Sequence, residues 1–465
     1  MPLHRPLLRS LLLAGALPLG ASAAVAPLAF VEAHFHVDAS FDGLHGAVAA
    51  AVSPDGKSVY VLGKGDDAVS EWARDPATGA LAYLGRELGN NQTGGTVPDF
   101  DRPEVVAVSP DGKHVYIATV NTDPAQVPPT HSGIAIFTRD LDTGALSYTA
   151  SFLDGTDGAS LQKPAGIAVS ADGAFVYVSD FRNSLLEGAV DVFSRDASTG
   201  LLARVQTLTH VEPTLDGLGR AHGLALSPDG AQLYVTSHGT SGSAAALAAF
   251  ARDAMSGQLA FVAAYQHGAG GVSGLGDPYA ARVSPDGAFL YVASYTRASP
   301  TIAGSVDVFQ RDGSTGELTP VTSYLETEIG FVGPDSIALS PDGARVYVAA
   351  QGTLGSYDSK LAVFWRAAGS GALARLDLIA DDANGVDGLK GALDVAVSPD
   401  GQNVYVCAEQ DAPPLSTQTE RGAVGVFRAA PEPAPAAAAL AALAALGGLA
   451  QRSASSQSRG RRNTS

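Results

Sequence analysis

The sequence predicts an all-β fold, a seven-bladed β-propeller of four-stranded blades, and three observations carry the prediction. Ser-Pro-Asp-Gly recurs with its aspartate at Asp55, Asp111, Asp229, Asp286, Asp342 and Asp400, and a Ser-Ala-Asp-Gly variant supplies Asp172. The seven copies follow one another at 56 to 61 residues, a period that belongs to propellers and other repeat folds. The last unit stops one strand short, and a segment of matching pattern stands at the start of the chain.

The elements of one unit follow in order. Gly166-Ile167-Ala168-Val169-Ser170 alternates before the turn and Val176-Tyr177-Val178 follows it, so two strands flank an Asp-Gly turn and form a hairpin. Val190-Asp191-Val192-Phe193 is a third run. The polar turn Arg195-Asp196-Ala197-Ser198-Thr199-Gly200 leads to a fourth through Leu202 and Val205. The seventh unit ends with its third strand, 423–427. Residues 28–37, Leu28-Ala29-Phe30-Val31 onward, resemble a fourth strand such as Leu259-Ala260-Phe261-Val262. The two chain ends are therefore expected to complete one blade, closed by the N-terminal strand.

Gly 53 and Pro 27 with only 16% charged residues suit a turn-rich β-protein. A continuous repeat at 465 residues makes one ring domain rather than two or three. The net charge of −18 understates the acidity of the ring, because Arg5, Arg9, Arg452, Arg459, Arg461 and Arg462 lie in the terminal segments. Such a surface repels nucleic acid and anionic lipid. The single cysteine, Cys407, cannot form an internal disulfide and sits in the apolar run Val404-Tyr405-Val406-Cys407 as a small packed hydrophobe.

Both ends lie outside the ring. Arg5 and Arg9, the apolar stretch 11–19 and Ala21-Ser22-Ala23 are the three parts of a secretory signal peptide, residues 1–23. The propeller takes 28–428. The tail, 429–465, runs from Pro431-Glu432-Pro433 through an Ala/Leu stretch to Arg452, Arg459, Arg461 and Arg462. It resembles bacterial PEP-CTERM sorting tails, a likeness that implies transient membrane anchoring; a disordered Ala/Pro tail is the other reading. The chain is expected in the periplasm, at the cell surface or outside a bacterial cell, as a monomer.

The repeat itself, Ser-Pro-Asp-Gly-x-x-Val-Tyr-Val followed by the pattern of Phe309-Gln310-Arg311-Asp312-Gly313-Ser314-Thr315-Gly316-Glu317-Leu318, resembles the lactonase-type seven-bladed propellers. That is the family of 6-phosphogluconolactonase and its Tyr-Val-Thr-Asn-repeat relatives, and the likeness spans about 28–428. It implies the fold and a lactone hydrolase activity. The motif residues themselves are turn formers, so they are read as structural. A phosphorylated sugar lactone is a cytosolic metabolite and does not suit an exported chain.

Chemistry is expected where the innermost strands begin, nine and seven residues before each turn aspartate. Those positions hold Arg102 and Glu104, Lys163 and Ala165, Arg220 and His222, Asp277 and Tyr279, and Asp335 in the sixth blade. Arg102, Lys163 and Arg220 make a cationic side and Asp277 and Asp335 an acidic one. A carbonyl or carboxylate would sit against the cations, with Glu104, His222 or Asp335 activating water. The resemblance implies His and Arg at these entries, which Arg220-Ala221-His222 satisfies; Lys163-Pro164-Ala165 stands where a His-x-His pair is implied. The catalytic candidates are His222, Glu104 and Arg220; the ligand-binding candidates are Arg102, Lys163, Asp277, Tyr279 and Asp335. A rim of solvated ion pairs would need no function at all.

The loops 119–133, 180–188, 294–304 and 408–422 lengthen on the same face, which marks it for binding. Asp42-Gly43-Leu44, Asp216-Gly217-Leu218 and Asp387-Gly388-Leu389 read as a repeated inter-blade turn, and His34 and His36 as a solvated face of the borrowed strand. No phosphate loop, Gly-x-Ser-x-Gly elbow or Cys-x-x-Cys pair occurs, and neither a cofactor nor a metal is expected. Two functions stay open: an exported module binding a small molecule, glycan or protein at the channel mouth, and an extracellular lactone hydrolase.

Overall fold

Seven antiparallel sheets of four strands each follow one another along the chain, as the repeat requires of a seven-bladed propeller. The computed structural model describes residues 28–36, 43–89, 92, 94–120, 132–155, 161–181, 188–210, 217–238, 245–295, 304–353, 358–409 and 422–430. The signal-peptide and tail assignments, and most of the long loops singled out in the sequence, lie outside these residues. Blades 1 to 6 run in chain order from Ala47–Val52 to Leu373–Ala380, each from its innermost strand outward.

Blade 7 joins the two ends. Leu28–Phe35 pairs antiparallel with Ala423–Ala429, from Leu28 opposite Ala429 to Phe35 opposite Ala423. The expected strand of 28–37 thus ends two residues early. Phe30 meets Phe427 edge-to-face at 5.6 Å. The histidines of this segment are not a solvated face: the ring of His34 packs against Trp72 at 4.7 Å, and buried His36 stacks on His45 at 5.2 Å beside Asp66. A register shift between Phe30 and Glu32 turns the strand, and Glu32 accepts the Leu81 N–H of blade 1 at 2.8 Å.

The core is not central. Each of seven apolar clusters joins two neighbouring blades, as where Val59 and Trp72 of blade 1 meet Tyr405 and Val424 of blade 7. In six blades the second strand is buried along its whole length because both of its faces lie against other blades, and in blade 3 only its last residue, Phe181, is partly open.

Both repeated turns do more than reverse the chain. In the hairpin turn Ser53 Oγ donates to Asp55 at 2.5 Å and accepts the Ser58 N–H, while Gly56 takes φ +69°. In the Thr-Gly turn, Asp140 accepts the N–H and hydroxyl of Thr143. The two motifs then meet across the seam between blades. Arg195 of blade 3 donates Nε to Tyr116 Oη at 2.8 Å and Nη2 to Asp111 at 2.9 Å, both of blade 2, and Nη1 to its own Gly173 carbonyl. Tyr116 in turn donates to the Gly200 carbonyl of blade 3 at 2.8 Å.

Arg74, Arg139, Arg252, Arg311 and Arg366 reach Asp400, Asp55, Asp172, Asp229 and Asp286 in the same way. The turn-forming role read from the sequence holds and is extended: the partly exposed aspartate and buried arginine of successive repeats also form an inter-blade clamp. At the seam of blades 6 and 7 the pattern changes. Ala429 occupies the arginine's place, and Arg345 of blade 6 donates to the Ala430 carbonyl at 2.8 Å instead.

Candidate functional site

Every innermost strand shifts register at its start, between Pro164 and Gly166 in blade 3, Ala221 and Leu224 in blade 4, and Pro278 and Ala280 in blade 5. A bulge re-aims the residue it contains, and these bulges hold the position seven before the turn aspartate. Glu104, His222, Tyr279 and Asp335 stand there and line one central cavity of about 550 Å³, together with Lys163, Arg220 and Asp277. Seven of the eight sequence candidates thus share one space. Arg102 does not join them: its side chain is exposed, it does not line the cavity, and its main-chain N–H is held by Asp67 at 2.8 Å.

The residue nine before the aspartate needs a left-handed backbone in several blades. Gly46, Gly333 and Gly391 adopt it without cost, whereas Arg220 is held at φ +54°. Such a conformation in a non-glycine residue costs on the order of 1 kcal/mol and gathers at functional sites. Its carbonyl accepts the His238 N–H at 3.2 Å, tying the entry to the end of the second strand.

Phe181 is the hub of the mouth. Lys163 Nζ lies 4.8 Å and Arg220 Cζ 5.5 Å from its ring centroid, and the rings of His238 and His222 stand at 5.3 and 6.4 Å. Burial depresses the Lys163 pKa, and Lys64, Arg102 and Arg220 add to the effect against the opposing pull of Glu104. The His222 ring stacks on His238 at 4.6 Å, and Tyr279 leans on both, at 4.9 and 4.2 Å. His222 Nδ1 lies 3.1 Å from the Tyr279 carbonyl. A carbonyl only accepts, so Nδ1 carries the proton and Nε2 is the basic nitrogen of the neutral ring. His238 Nδ1 faces Asp277 at 3.9 Å.

Glu104, expected as a base, has a cationic partner. Lys64 Nζ contacts it at 2.6 Å, so its charge is already matched. Lys64, Phe181 and His238 were not among the sequence candidates, nor were Gln351 and Glu409, and all five line the cavity. They share a signal in the sequence. Each stands nine residues after its turn aspartate, where the second strand ends beside the start of the first. Reading that register as well as the one nine residues before would have found them. Elsewhere, Asp387 of the predicted inter-blade turn gathers with Asp381 and Asp382, one carboxylate oxygen of each within 4.8 Å of the others.

The model of the family described as "Lactonase, 7-bladed beta-propeller" matches residues 184–332 and 269–377. These spans hold Arg220, His222, Asp277, Tyr279 and Asp335, and leave Glu104 and Lys163 outside. Among solved structures, the chain is similar to the periplasmic gluconolactonase PpgL of Pseudomonas aeruginosa, at 21% identity and TM-score 0.53, covering 72% of this chain and 85% of that one. A Bacteroides fragilis protein, provisionally a 6-phosphogluconolactonase, is similar at 20% identity and TM-score 0.52, with 72% and 84% covered. The hydrazine synthase of Kuenenia stuttgartiensis is equally alike in shape, at 17% identity and TM-score 0.53, with 80% and 95% covered. Likeness at this level is likeness of fold, and the chemistry rests on the residues at the mouth. No curated protein matches the sequence.

Proposed function

We propose that the protein hydrolyses a small lactone at the channel mouth. The observation that supports this best is the convergence around Phe181 of a histidine with a defined basic nitrogen and two cations, Lys163 and Arg220. In this reading His222 Nε2 takes a proton from water as the oxygen attacks the lactone carbonyl. Lys163 and Arg220 stabilise the negative oxygen of the tetrahedral intermediate. The ring C–O bond then breaks, and His222 returns the proton to the leaving alkoxide, giving a hydroxy-carboxylate. Glu104, paired with Lys64, holds the cationic side in place and is not the base.

A panel of aldono-lactones and simple γ- and δ-lactones tests the reading. His222→Ala is expected to lower kcat/KM by roughly 100-fold or more, the usual worth of a positioned base. Thermal unfolding should stay where it was. Hydrolysis by His222→Ala at the rate of the unaltered protein would remove the mechanism. Ligand binding without turnover of any lactone would favour the binding module instead, for which the ring surface of Phe181, His222, His238 and Tyr279 offers a stacking wall.

We also propose export, with the ring in the periplasm or beyond. The basic and apolar pattern of residues 1–23 supports it, as does the compartment of the Pseudomonas enzyme. Mass spectrometry of the native protein should find a mature start near Ala24. In a host with the matching sorting system the tail beyond about Pro433 should be missing. An intact Met1 would exclude cleavage.

A further inference from the structure

Four residues before the turn aspartate six blades carry alanine: Ala51, Ala107, Ala168, Ala225, Ala338 and Ala396. Blade 5 carries Arg282. Those alanines pack in or against the apolar clusters between blades, whereas Arg282 lines the same cavity as the mouth residues. Arg282 is exposed to the lumen rather than packed in the core, and partial desolvation by the surrounding wall pulls its pKa below the usual arginine range against the opposing pull of Asp394.

The guanidinium is little used by the fold. Nη1 donates to the Ala281 carbonyl at 2.8 Å, and among the described residues no carboxylate lies at ion-pair distance. The charge acting on it is that of Asp394, whose oxygens are engaged elsewhere, one by Ser336 Oγ at 2.7 Å and the other by the Ala50 N–H at 3.0 Å. A cation open to the cavity with no anion in contact is available to an anionic ligand.

We propose that Arg282 is a ligand-binding residue, and that the lumen takes the carboxylate of a small hydroxylated acid on its guanidinium fork. The planar fork matches a carboxylate bidentately. Asp277, Asp335, Asp394 and Glu409 line the same cavity, and their charge discriminates against a phosphate dianion while accepting hydroxyl donors. The assignment stands whether or not the mouth residues hydrolyse a lactone.

Titration calorimetry of the purified full chain at low ionic strength tests it without any lactone present. The probes are D-gluconate, inorganic phosphate and neutral D-glucose. Gluconate is expected to bind more tightly than either of the others, and Arg282→Ala to weaken it at least tenfold, with Arg282→Lys in between. Arg282→Ala installs the residue that the other six blades already have, so it should fold and unfold at an unchanged or higher temperature. Gluconate binding unchanged in Arg282→Ala would overturn the proposal, and tighter binding of phosphate would overturn the carboxylate class. A lower unfolding temperature in Arg282→Ala that Asp394→Asn restores would show instead that the arginine serves only to balance Asp394.

Discussion

A protein lacking residues 28–35 is expected to lose cooperative unfolding and to aggregate, the largest effect foreseen for any change to this chain. The deletion strips the outer strand from blade 7 and bares the edge of Ala423–Ala429, a row of unpaired main-chain groups that invites other chains. It also exposes buried Phe427, and removes Leu28 and Phe30 from the cluster between blades 6 and 7. The loss reaches blade 1, because Glu32 caps the Leu81 N–H and His34 covers Trp72. A ring has no free end to fray harmlessly, so one open blade loosens two seams. Thermal unfolding and light scattering of the deleted protein decide the matter; a sharp transition at the original temperature in a monomer would mean that the terminal strand is dispensable.

The ring was legible because a repeat multiplies weak evidence. One Asp-Gly between two apolar runs suggests a hairpin; seven at a constant period, with a missing strand at one end and a spare at the other, leave little else. The mouth was legible for a related reason: a repeated register predicts that equivalent positions lie at equivalent places, and seven of the eight candidates share the cavity. What stayed hidden was pairing across blades. Nothing local in Arg195-Asp196 says that its guanidinium will cross to an aspartate 84 residues earlier. His238 was passed over because it follows an unremarkable strand, although its register recurs in every unit. The histidines of the first strand were misjudged because alternation shows that side chains share a face and not what will cover it. Arg102 shares its register with Lys163 and Arg220, but blade 2 holds its side chain outside the cavity.

The clamp carries the second large prediction. Arg195→Ala is expected to destabilise the protein by about 2–3 kcal/mol, the upper part of the range for most single substitutions. A buried guanidinium and several of its hydrogen bonds are lost, while the carboxylate left behind is partly exposed. The arginine side chain is 1% exposed, and its loss removes at once a hydrogen bond to the Tyr116 hydroxyl, the contact with the His114 ring and the countercharge of Asp111. Tyr116 keeps the Gly200 carbonyl, and Asp111 keeps Ser109 and the Lys113 N–H. Arg428→Ala is the contrast. It stands one residue from the clamp position of blade 7 with its side chain exposed, and a change within about 0.5 kcal/mol is expected.

Acid should reveal the same network. Partial burial alone would raise the Asp111 pKa, but the Ser109 hydroxyl, Arg195 and the Lys113 N–H outweigh it and hold the pKa at about 2. Asp55, Asp172, Asp229, Asp286 and Asp400 are lowered by the same kinds of partners. A carboxylate depressed in the folded state stabilises it above the unfolded pKa, near 4, and that contribution fades as pH falls toward the folded value. Because these carboxylates are partly exposed, each is worth on the order of 1 kcal/mol, but six act together. Urea unfolding midpoints should therefore drop steeply between about pH 4 and pH 2. In Asp111→Asn the slope should be shallower by one carboxylate's share, and in Arg195→Ala by part of it, since Ser109 and the Lys113 N–H still favour the charged form. Equal midpoints for Arg195→Ala and the unaltered protein at pH 7 would show that the clamp adds nothing to stability and that apolar contact alone holds the blades together.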